Sequence, residues 1–353
     1  MKRTTAEFAE RVWDDPGPGW RALRACLTPA AALYGAVVMV RNAAYGAGVL
    51  GVRVVPARTV SVGNVRVGGT GKTPLTRWLA METRRRGARV AIVSRGYGGT
   101  ERGAHVVGDG VRVRSDVAAS GDEAVMLART SGVPVVAGRD RVAAARLAVE
   151  TFEAQLLLCD DAFQHRRLER DLDVVLVDAE ERGGLARVLP AGPLREPLTG
   201  VRRADVVLRR EPNVETFVPN ATGDVQRIGF APVSLVAPGP EGWQERPLGL
   251  LAEKQVLAVT GVARPGPMYD TLSQWNASLA DVLEYPDHHV YDARDWKEIS
   301  HRARDLDLVV TTEKDLVKLE EFPFARDALV AIRLGVVVDD ADALVDRVLG
   351  VQE

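Results

Sequence analysis

The chain has 353 residues, enough for two domains of roughly 150 residues each, and its 46% hydrophobic and 27% charged residues are typical of a folded protein rather than a disordered one. The formal net charge is −2 and arginines are interleaved with acidic residues, which argues against a general nucleic-acid binder. Cys26 and Cys159 are far apart and flanked by apolar residues, so we expect neither a disulfide framework nor a zinc site.

The first feature along the chain is a long uncharged segment. Residues 25–40 carry no charge, and after Arg41 the uncharged run continues to Gly51. Arg41 interrupts the run before it reaches the ~20 apolar residues of a bilayer span. The surrounding arginines, tryptophans and tyrosines are typical of a helix or helical hairpin in a membrane interface, but a helix buried against the core fits these residues equally well. We treat residues 1–52 as a separate N-terminal segment.

Residues 53–215 follow the pattern of an α/β domain. Short β-branched or apolar runs alternate with helical segments. The predicted strands are 59–62, 89–94, 156–159, 173–178 and 204–208, and the predicted helices are 74–86 and 139–152. This alternation indicates a parallel sheet with right-handed crossovers, whose ligands lie beyond the carboxyl ends of the strands.

A change of composition follows Arg210. Residues 211–247 contain several prolines and glycines and little helical periodicity, which predicts a connector with irregular or β-ribbon structure. The following segments again alternate, with predicted strands at 255–260 and 306–312 and predicted helices at 267–276 and 296–304. We assign residues 216–353 to this connector and a second, smaller α/β domain.

The first predicted strand leads into a glycine-rich loop that begins a helix. The loop matches the GGxGK[ST] form of the phosphate-binding P-loop and contains Gly68, Gly69, Thr70, Gly71, Lys72 and Thr73. The strict pattern has a glycine six residues before the lysine, where this chain has Arg66. Glycines allow backbone N–H groups to converge on phosphate oxygens, and the helix dipole favours the same anion. We expect Lys72 to contact the β- and γ-phosphates of ATP and Thr73 to bind Mg²⁺; a simple strand–helix turn is the alternative.

Two groups of carboxylates are candidates for the chemistry. Asp160 and Asp161 follow a buried strand, where a P-loop enzyme keeps the acidic residue that holds Mg²⁺, although a solvated acidic turn has the same pattern. Asp122 precedes an apolar run and would serve as a base near the attacking hydroxyl. Ser120 and Glu123 fit an S-x-x-E capping box, a structural explanation that leaves Asp122 without a role.

Histidines occur in two polar loops. Asp287 is followed by His288 and His289, and adjacent side chains point to different sides of a regular element, so we do not expect both to bind one metal. One histidine beside a carboxylate would transfer protons, whereas an exposed histidine without a special role is the default. Gln164 and His165 follow the paired aspartates and would orient phosphate or substrate, or belong to a surface loop.

Together these segments resemble the tetraacyldisaccharide 4′-kinase family, the lipid A kinases of Gram-negative bacteria. Each piece is short, but their joint order is specific and covers most of the chain. The matching pieces are 61–64, the phosphate loop through Pro74, 94–99, 121–123, 160–161, 164–165, 189–197, 260–265, 286–289 and 311–315.

The resemblance implies transfer of the ATP γ-phosphoryl group to the 4′-hydroxyl of a tetraacylated glucosamine disaccharide 1-phosphate, with Mg²⁺. It implies two α/β domains with the active site between them, at the cytoplasmic face of the inner membrane, and it favours membrane contact by the N-terminal segment. Its site residues correspond here to Lys72 and Thr73 for nucleotide and metal, Asp122 as base with His288 as its partner, Asp160 and Asp161 for the metal, and Glu123, Arg195 and Glu196 elsewhere in the active site.

One departure and two alternatives accompany this resemblance. The family usually has glycine where this chain has Ala162, and alanine disfavours positive φ. A P-loop ATPase switch that recruits partners at the membrane shares the GGxGKT loop, but usually has a further lysine early in it, where this chain has Arg66 and Val67. A soluble small-molecule kinase with the N-terminal helix in its core is the other alternative. The sequence leaves acyl-chain specificity and oligomeric state open.

Overall fold

The structure, a computed structural model, describes residues 5–178, 187–211, 225–240, 242–324 and 328–351. The helices in these ranges are α1 (Thr5–Asp14), α2 (Pro18–Gly46), α3 (Lys72–Arg85), α4 (Val117–Ser120), α5 (Asp122–Thr130), α6 (Arg141–Phe152), α7 (Gly266–Gln274), α8 (Ala293–Arg302), α9 (Glu313–Leu319) and α10 (Ala341–Leu349). The strands are β1 (Arg58–Asn64), β2 (Val90–Ser94), β3 (His105–Asp109), β4 (Pro134–Ala137), β5 (Leu156–Asp160), β6 (Leu172–Asp178), β7 (Val206–Arg210), β8 (Gln226–Gly239), β9 (Gly242–Arg246), β10 (Gln255–Thr260), β11 (Ser278–Glu284), β12 (Leu308–Thr312) and β13 (Leu329–Val338).

The thirteen strands of the described residues form one sheet. Their order is β11-β10-β12-β13-β8-β7-β6-β1-β5-β2-β4-β3, and β9 pairs with β8 outside this path. Neighbours pair in parallel except β3–β4, β8–β9 and β8–β13, which are antiparallel. The predicted α/β class with a mainly parallel sheet is therefore confirmed.

Strand β8 connects two halves of the sheet, a first half formed by β1–β7 and a second half formed by β10–β13. It pairs in parallel with the end of β7, and its longer antiparallel ladder with β13 continues into the second half. With β9 it forms the β-ribbon that was one of the two expectations for the connector. The boundary predicted between residues 215 and 216 lies outside the described residues, so the domain limits stay a prediction.

The first half buries both faces of its sheet, as parallel strands flanked by helices do. On one face, α3, α5 and α10 pack over β1, β2 and β5 through side chains such as Leu75, Leu127 and Leu344. On the other face, α6 approaches closely through the small side chains of Ala144 and Ala148. The carboxyl ends of β1, β2 and β5 lie side by side and lead into the phosphate loop and the paired aspartates.

The N-terminal segment folds as α1 followed by the 29-residue helix α2. One stripe of α2, including Ala31 and Gly35, is buried against the rest of the protein, while Leu33, Val37 and Val40 on the remaining surface are 68%, 59% and 69% exposed. By length and composition alone, α2 is apolar enough to cross a bilayer. The helix therefore docks on the protein through one face and leaves an apolar face outward.

Candidate active site

The phosphate loop lies between β1 and α3 in the conformation that the glycines allow. Gly68 and Gly71 have φ angles of 111° and 91°, in the region that favours glycine. Among the described residues, no backbone N–H of residues 68–71 donates to another backbone group, so these donors stay available to a ligand. The Asn64 amide donates to the Thr70 hydroxyl at 2.8 Å and ties the loop to the strand. Helix α3 begins at Lys72, with its positive dipole end at the loop.

Lys72 and Arg195 both contact Asp161. Lys72 Nζ lies 3.5 Å from Asp161 Oδ1, and Arg195 Nη1 donates to the same oxygen at 2.7 Å. Burial would raise the pKa of Asp161, but the two cations outweigh it and lower the pKa to about 2. The backbone N–H of Arg195 donates to the backbone oxygen of Val65 at 2.7 Å. This hydrogen bond holds Arg195 beside the residues that precede the phosphate loop.

Asp160 faces the hydroxyls of α3 instead of a cation. Its carboxylate accepts from Thr73 Oγ1 at 3.3 Å and Thr76 Oγ1 at 3.0 Å, and Arg141 Nη2 donates to its backbone oxygen at 2.9 Å. Burial, followed by the charges of Glu123 and Asp161, raises the pKa of Asp160 to about 7.

These donors fit Mg²⁺, which prefers hard oxygen ligands and usually keeps several waters. Asp160 and Thr73 offer a carboxylate and a hydroxyl beside each other, and Asp161 is adjacent in the chain. Burial and the charges of Glu123 and Asp161 outweigh the opposing charge of Lys72 on Asp160, and a divalent cation would add positive charge beside this carboxylate.

Asp122 and His288 meet across the two halves of the sheet. Asp122 is the first residue of α5, and His288 lies in the loop after β11 with a positive φ of 59°. The His288 Nδ1 atom lies 3.0 Å and 3.1 Å from the two Asp122 carboxylate oxygens. The pairing implied by the family resemblance is thus present, although a chemical role for it stays a prediction.

The pKa values of this pair reflect both burial and neighbouring charges. Burial alone would raise the pKa of Asp122, but the hydrogen bond with His288 and the charges of Lys314 and Lys318 lower it to about 2. Burial lowers the pKa of His288, but Asp122 outweighs it and the net direction is upward. Asp122 is therefore ionised at neutral pH.

The prediction of a capping box at the start of α5 is wrong. The N-cap of α5 is Gly121, with φ of 82° and without a side-chain cap. The Ser120 hydroxyl instead lies 2.7 Å from His105 Nε2 and 2.6 Å from the Ser115 hydroxyl. Glu123 is consequently free of a capping role, and its charge acts on Asp160 and, at 3.8 Å, on Lys314.

Glu196 lies apart from the phosphate loop in its contacts. Its buried carboxylate accepts from Asn42 at 3.0 Å, Gln164 at 2.9 Å and Arg203 at 2.7 Å. Because Asn42 belongs to α2, Glu196 fastens the N-terminal helix to the segment that carries Arg195. A substrate contact by Glu196 stays a prediction.

Ala162 is accommodated without strain. The positive φ in this loop, 49°, belongs to Asp161, and aspartate tolerates that region better than most residues. The Ala162 side chain is buried in the apolar cluster beneath α6. The family glycine at this position is therefore not needed for a left-handed backbone in this chain.

The two adjacent histidines point to different partners, as expected. His289 Nε2 lies 2.8 Å from Asp295 and its ring stacks on Tyr285, away from Asp122. Lys314 and Lys318 were missed as site residues, although Lys314 stands in one of the matching segments. Their spacing of four places both on one face of α9, and this was the available signal.

A glycine-rich phosphate loop at a helix N-terminus, a carboxylate pair at the adjacent strand end and a further carboxylate opposite them define a P-loop phosphotransferase. The family model described as Tetraacyldisaccharide-1-P 4′-kinase matches residues 23–352. The chain belongs to this family, and the corresponding prediction is confirmed.

Individual relatives agree with this assignment. A tetraacyldisaccharide 4′-kinase of Syntrophus aciditrophicus is 37% identical over 351 residues, which cover 94% of this chain and 93% of the relative. Another from Anaeromyxobacter sp. (strain Fw109-5) is 40% identical over 92% of this chain and 91% of its own. The crystal structure of LpxK from Aquifex aeolicus in complex with ATP matches with a TM-score of 0.77 and 29% identity, covering 93% of this chain and 98% of that one.

Proposed function

We propose that this protein transfers the γ-phosphoryl group of ATP to the 4′-hydroxyl of a tetraacylated glucosamine disaccharide 1-phosphate, which gives a bis-phosphorylated lipid A precursor. The observation that carries the proposal is the match of the family model to residues 23–352, with the phosphate loop and the Asp122–His288 contact both present in the same chain.

The phosphate loop holds the triphosphate of ATP. The free N–H groups of Gly68 to Gly71 and the start of α3 bind the phosphate oxygens, and Lys72 leaves Asp161 to contact the β- and γ-phosphates. Asp160 and Thr73 would hold Mg²⁺, with Asp161 close to them. The metal would neutralise charge on the transferring group when bound.

Asp122 orients the attacking hydroxyl of the sugar. Phosphoryl transfer passes through a loose transition state, so positioning contributes more than the strength of the base. The low pKa of Asp122 fits an ionised hydrogen-bond acceptor that takes the hydroxyl proton only as the new P–O bond forms. His288 holds the carboxylate in the required direction.

The outward apolar face of α2 brings the lipid to this site. Tyr34 donates to the backbone oxygen of Arg195 at 2.8 Å and Asn42 to Glu196 at 3.0 Å, so α2 rests on the segment beside Asp161. We propose that α2 lies in the cytoplasmic leaflet of the inner membrane, where acyl chains stay in lipid while the disaccharide reaches Asp122. Arg195 is a candidate contact for the acceptor's 1-phosphate.

The test is incubation of the purified protein with γ-³²P-labelled ATP and the disaccharide acceptor in mixed micelles, followed by analysis of the lipids. We expect one labelled product that carries both phosphates, and none with Lys72→Met. An acceptor that already bears a 4′-phosphate is the control and should stay unlabelled. Rapid ATP hydrolysis without lipid, and no labelled lipid, would instead support the ATPase switch.

A further inference from the structure

Lys314 is the second residue of α9 and occupies the space behind the Asp122–His288 pair. Its ammonium lies 3.1 Å from His288 Nε2 and 2.7 Å from Asp287 Oδ1. A third neighbour, Glu123, is 3.8 Å away. The Lys314 side chain is only 15% exposed, so these contacts lie inside the protein and not at its solvent-exposed surface.

The position of Lys314 is fixed by the helix that carries Lys72. Glu313, its neighbour, forms a buried ion pair with Arg77 of α3 at 2.7 Å and accepts from Arg333 at 2.8 Å. The start of α9 is therefore held against α3, and the Lys314 ammonium is held against the imidazole.

The chemistry of this contact determines where the imidazole carries its proton. A lysine ammonium has three donors and no acceptor. It forms a hydrogen bond with His288 Nε2 only when that nitrogen is unprotonated. The hydrogen of the neutral ring then lies on Nδ1, the nitrogen 3.0 Å from the Asp122 carboxylate, which only accepts.

We propose that Lys314 is a positioning residue for the phosphoryl transfer, which selects the Nδ1–H tautomer of the neutral His288 ring so that the ring donates to Asp122 and leaves that carboxylate charged. This proposal rests on the proposed function. A doubly protonated ring would neutralise Asp122 more strongly and weaken it as an acceptor for the sugar hydroxyl.

The charges around the His288 ring act in both directions. Burial and Lys314 on α9 oppose a second proton on the imidazole, whereas Asp122 on α5 and Asp287 in the same loop favour it and prevail, so the net direction of the His288 pKa is upward. Lys318 on α9 lies 3.5 Å from Asp122 Oδ2, so its positive charge acts on the same carboxylate. Tyr97 also contacts the ring, with its ring centroid 4.9 Å from that of His288. Without Lys314, Asp122 and Asp287 would favour the second proton on the imidazole more strongly.

The direct test is ¹⁵N NMR of the wild-type protein with labelled histidine, with the His288 signal assigned by its loss in His288→Gln. We expect the Nδ1–H tautomer at pH values above neutral. The Nε2–H tautomer in the wild type would overturn the proposal. The NMR measurement does not require the lipid acceptor. It therefore separates failure of this proposal from failure of the kinase assignment.

Lys314→Met tests the effect on turnover. We expect kcat near neutral pH to fall about tenfold or more, with recovery as pH rises and the acid limb of the profile displaced to higher pH, because the imidazole then keeps its second proton longer. Lys314→Arg, which keeps a charged donor, should restore the limb in part. Lys254→Met, an exposed ion pair with Asp307 in the same half of the protein, is the control and should change nothing. An equal loss at every pH, or an unchanged profile, would overturn the role.

Discussion

Gly71 of the phosphate loop lies close to Phe230 of β8, the strand that joins the two halves of the sheet. A Cβ atom built on Gly71 would lie 2.3 Å from two ring carbons of Phe230 on β8, far inside the normal contact distance of about 3.5–4.0 Å. The backbone there also has φ of 91°, which disfavours side chains. We predict that Gly71→Ala both destabilises the fold and distorts the nucleotide site.

The magnitude has two parts. The left-handed backbone costs alanine about 1–2 kcal/mol. Displacement of the packed Phe230 ring adds about 1–3 kcal/mol, the usual cost of overpacking. The sum is about 2–5 kcal/mol, which for a chain of 353 residues lowers Tm by roughly 3–7 °C. Because Lys72 follows directly, we also expect a weaker affinity for ATP.

The assay is thermal unfolding with and without nucleotide, beside matched variants. Gly69→Ala is the control, because a Cβ there meets no atom within 4 Å and its φ lies outside the left-handed region. Gly71→Ala combined with Phe230→Leu should recover only the packing part. A Tm for Gly71→Ala that equals that of Gly69→Ala would refute the described contact between loop and strand.

Three further predictions concern the metal, a buried ion pair and the outward apolar face of α2. Below the pKa of about 7 that burial and neighbouring carboxylates give Asp160, Mg²⁺ must displace its proton, so affinity should fall about tenfold per pH unit, with proton release visible by calorimetry in two buffers. Arg77→Met breaks a buried ion pair and should cost about 3–5 kcal/mol in thermal or denaturant unfolding, whereas Arg85→Met on the surface costs at most about 1 kcal/mol. Val37→Asp should weaken partition into lipid vesicles about tenfold, and the same charge at exposed Met81 on α3 should leave partition unchanged.

The local elements of the first half were predictable because each has its own signal. The β-branched run before the glycine loop became β1, and the apolar run before Asp160 became β5. Parallel strands that alternate with helices bring their carboxyl ends together, which is why the phosphate loop and the paired aspartates were expected on one edge.

Long-range pairing was not predictable in the same way. Strand β8 contains prolines and glycines, so its sequence resembles a connector, yet it pairs with both β7 and β13 and makes the sheet continuous. Its longest ladder is with β13, whose residues are more than 90 positions distant in the chain, such as Val338 opposite Ile228. Antiparallel edge strand β3 was missed for a similar reason, since pairing with β4 rather than its own pattern defines it.

At the candidate site, local patterns gave residue types but not partners. Ser120 fitted a capping box, but its hydroxyl contacts His105 and Ser115 instead. The contact of Asp122 with His288 joins residues 166 positions apart, and only the family resemblance indicated it. Lys314 needed the fold to bring α9 beside that pair.

The central claim is that Asp122 orients the hydroxyl that attacks ATP bound at the phosphate loop. Single-turnover transfer from γ-³²P-labelled ATP to the lipid acceptor, compared between the wild type and Asp122→Asn, tests it most directly. We predict a rate about 10²–10⁴-fold lower in the variant with an ATP affinity close to that of the wild type. A near-normal rate of lipid phosphorylation by Asp122→Asn would contradict the claim.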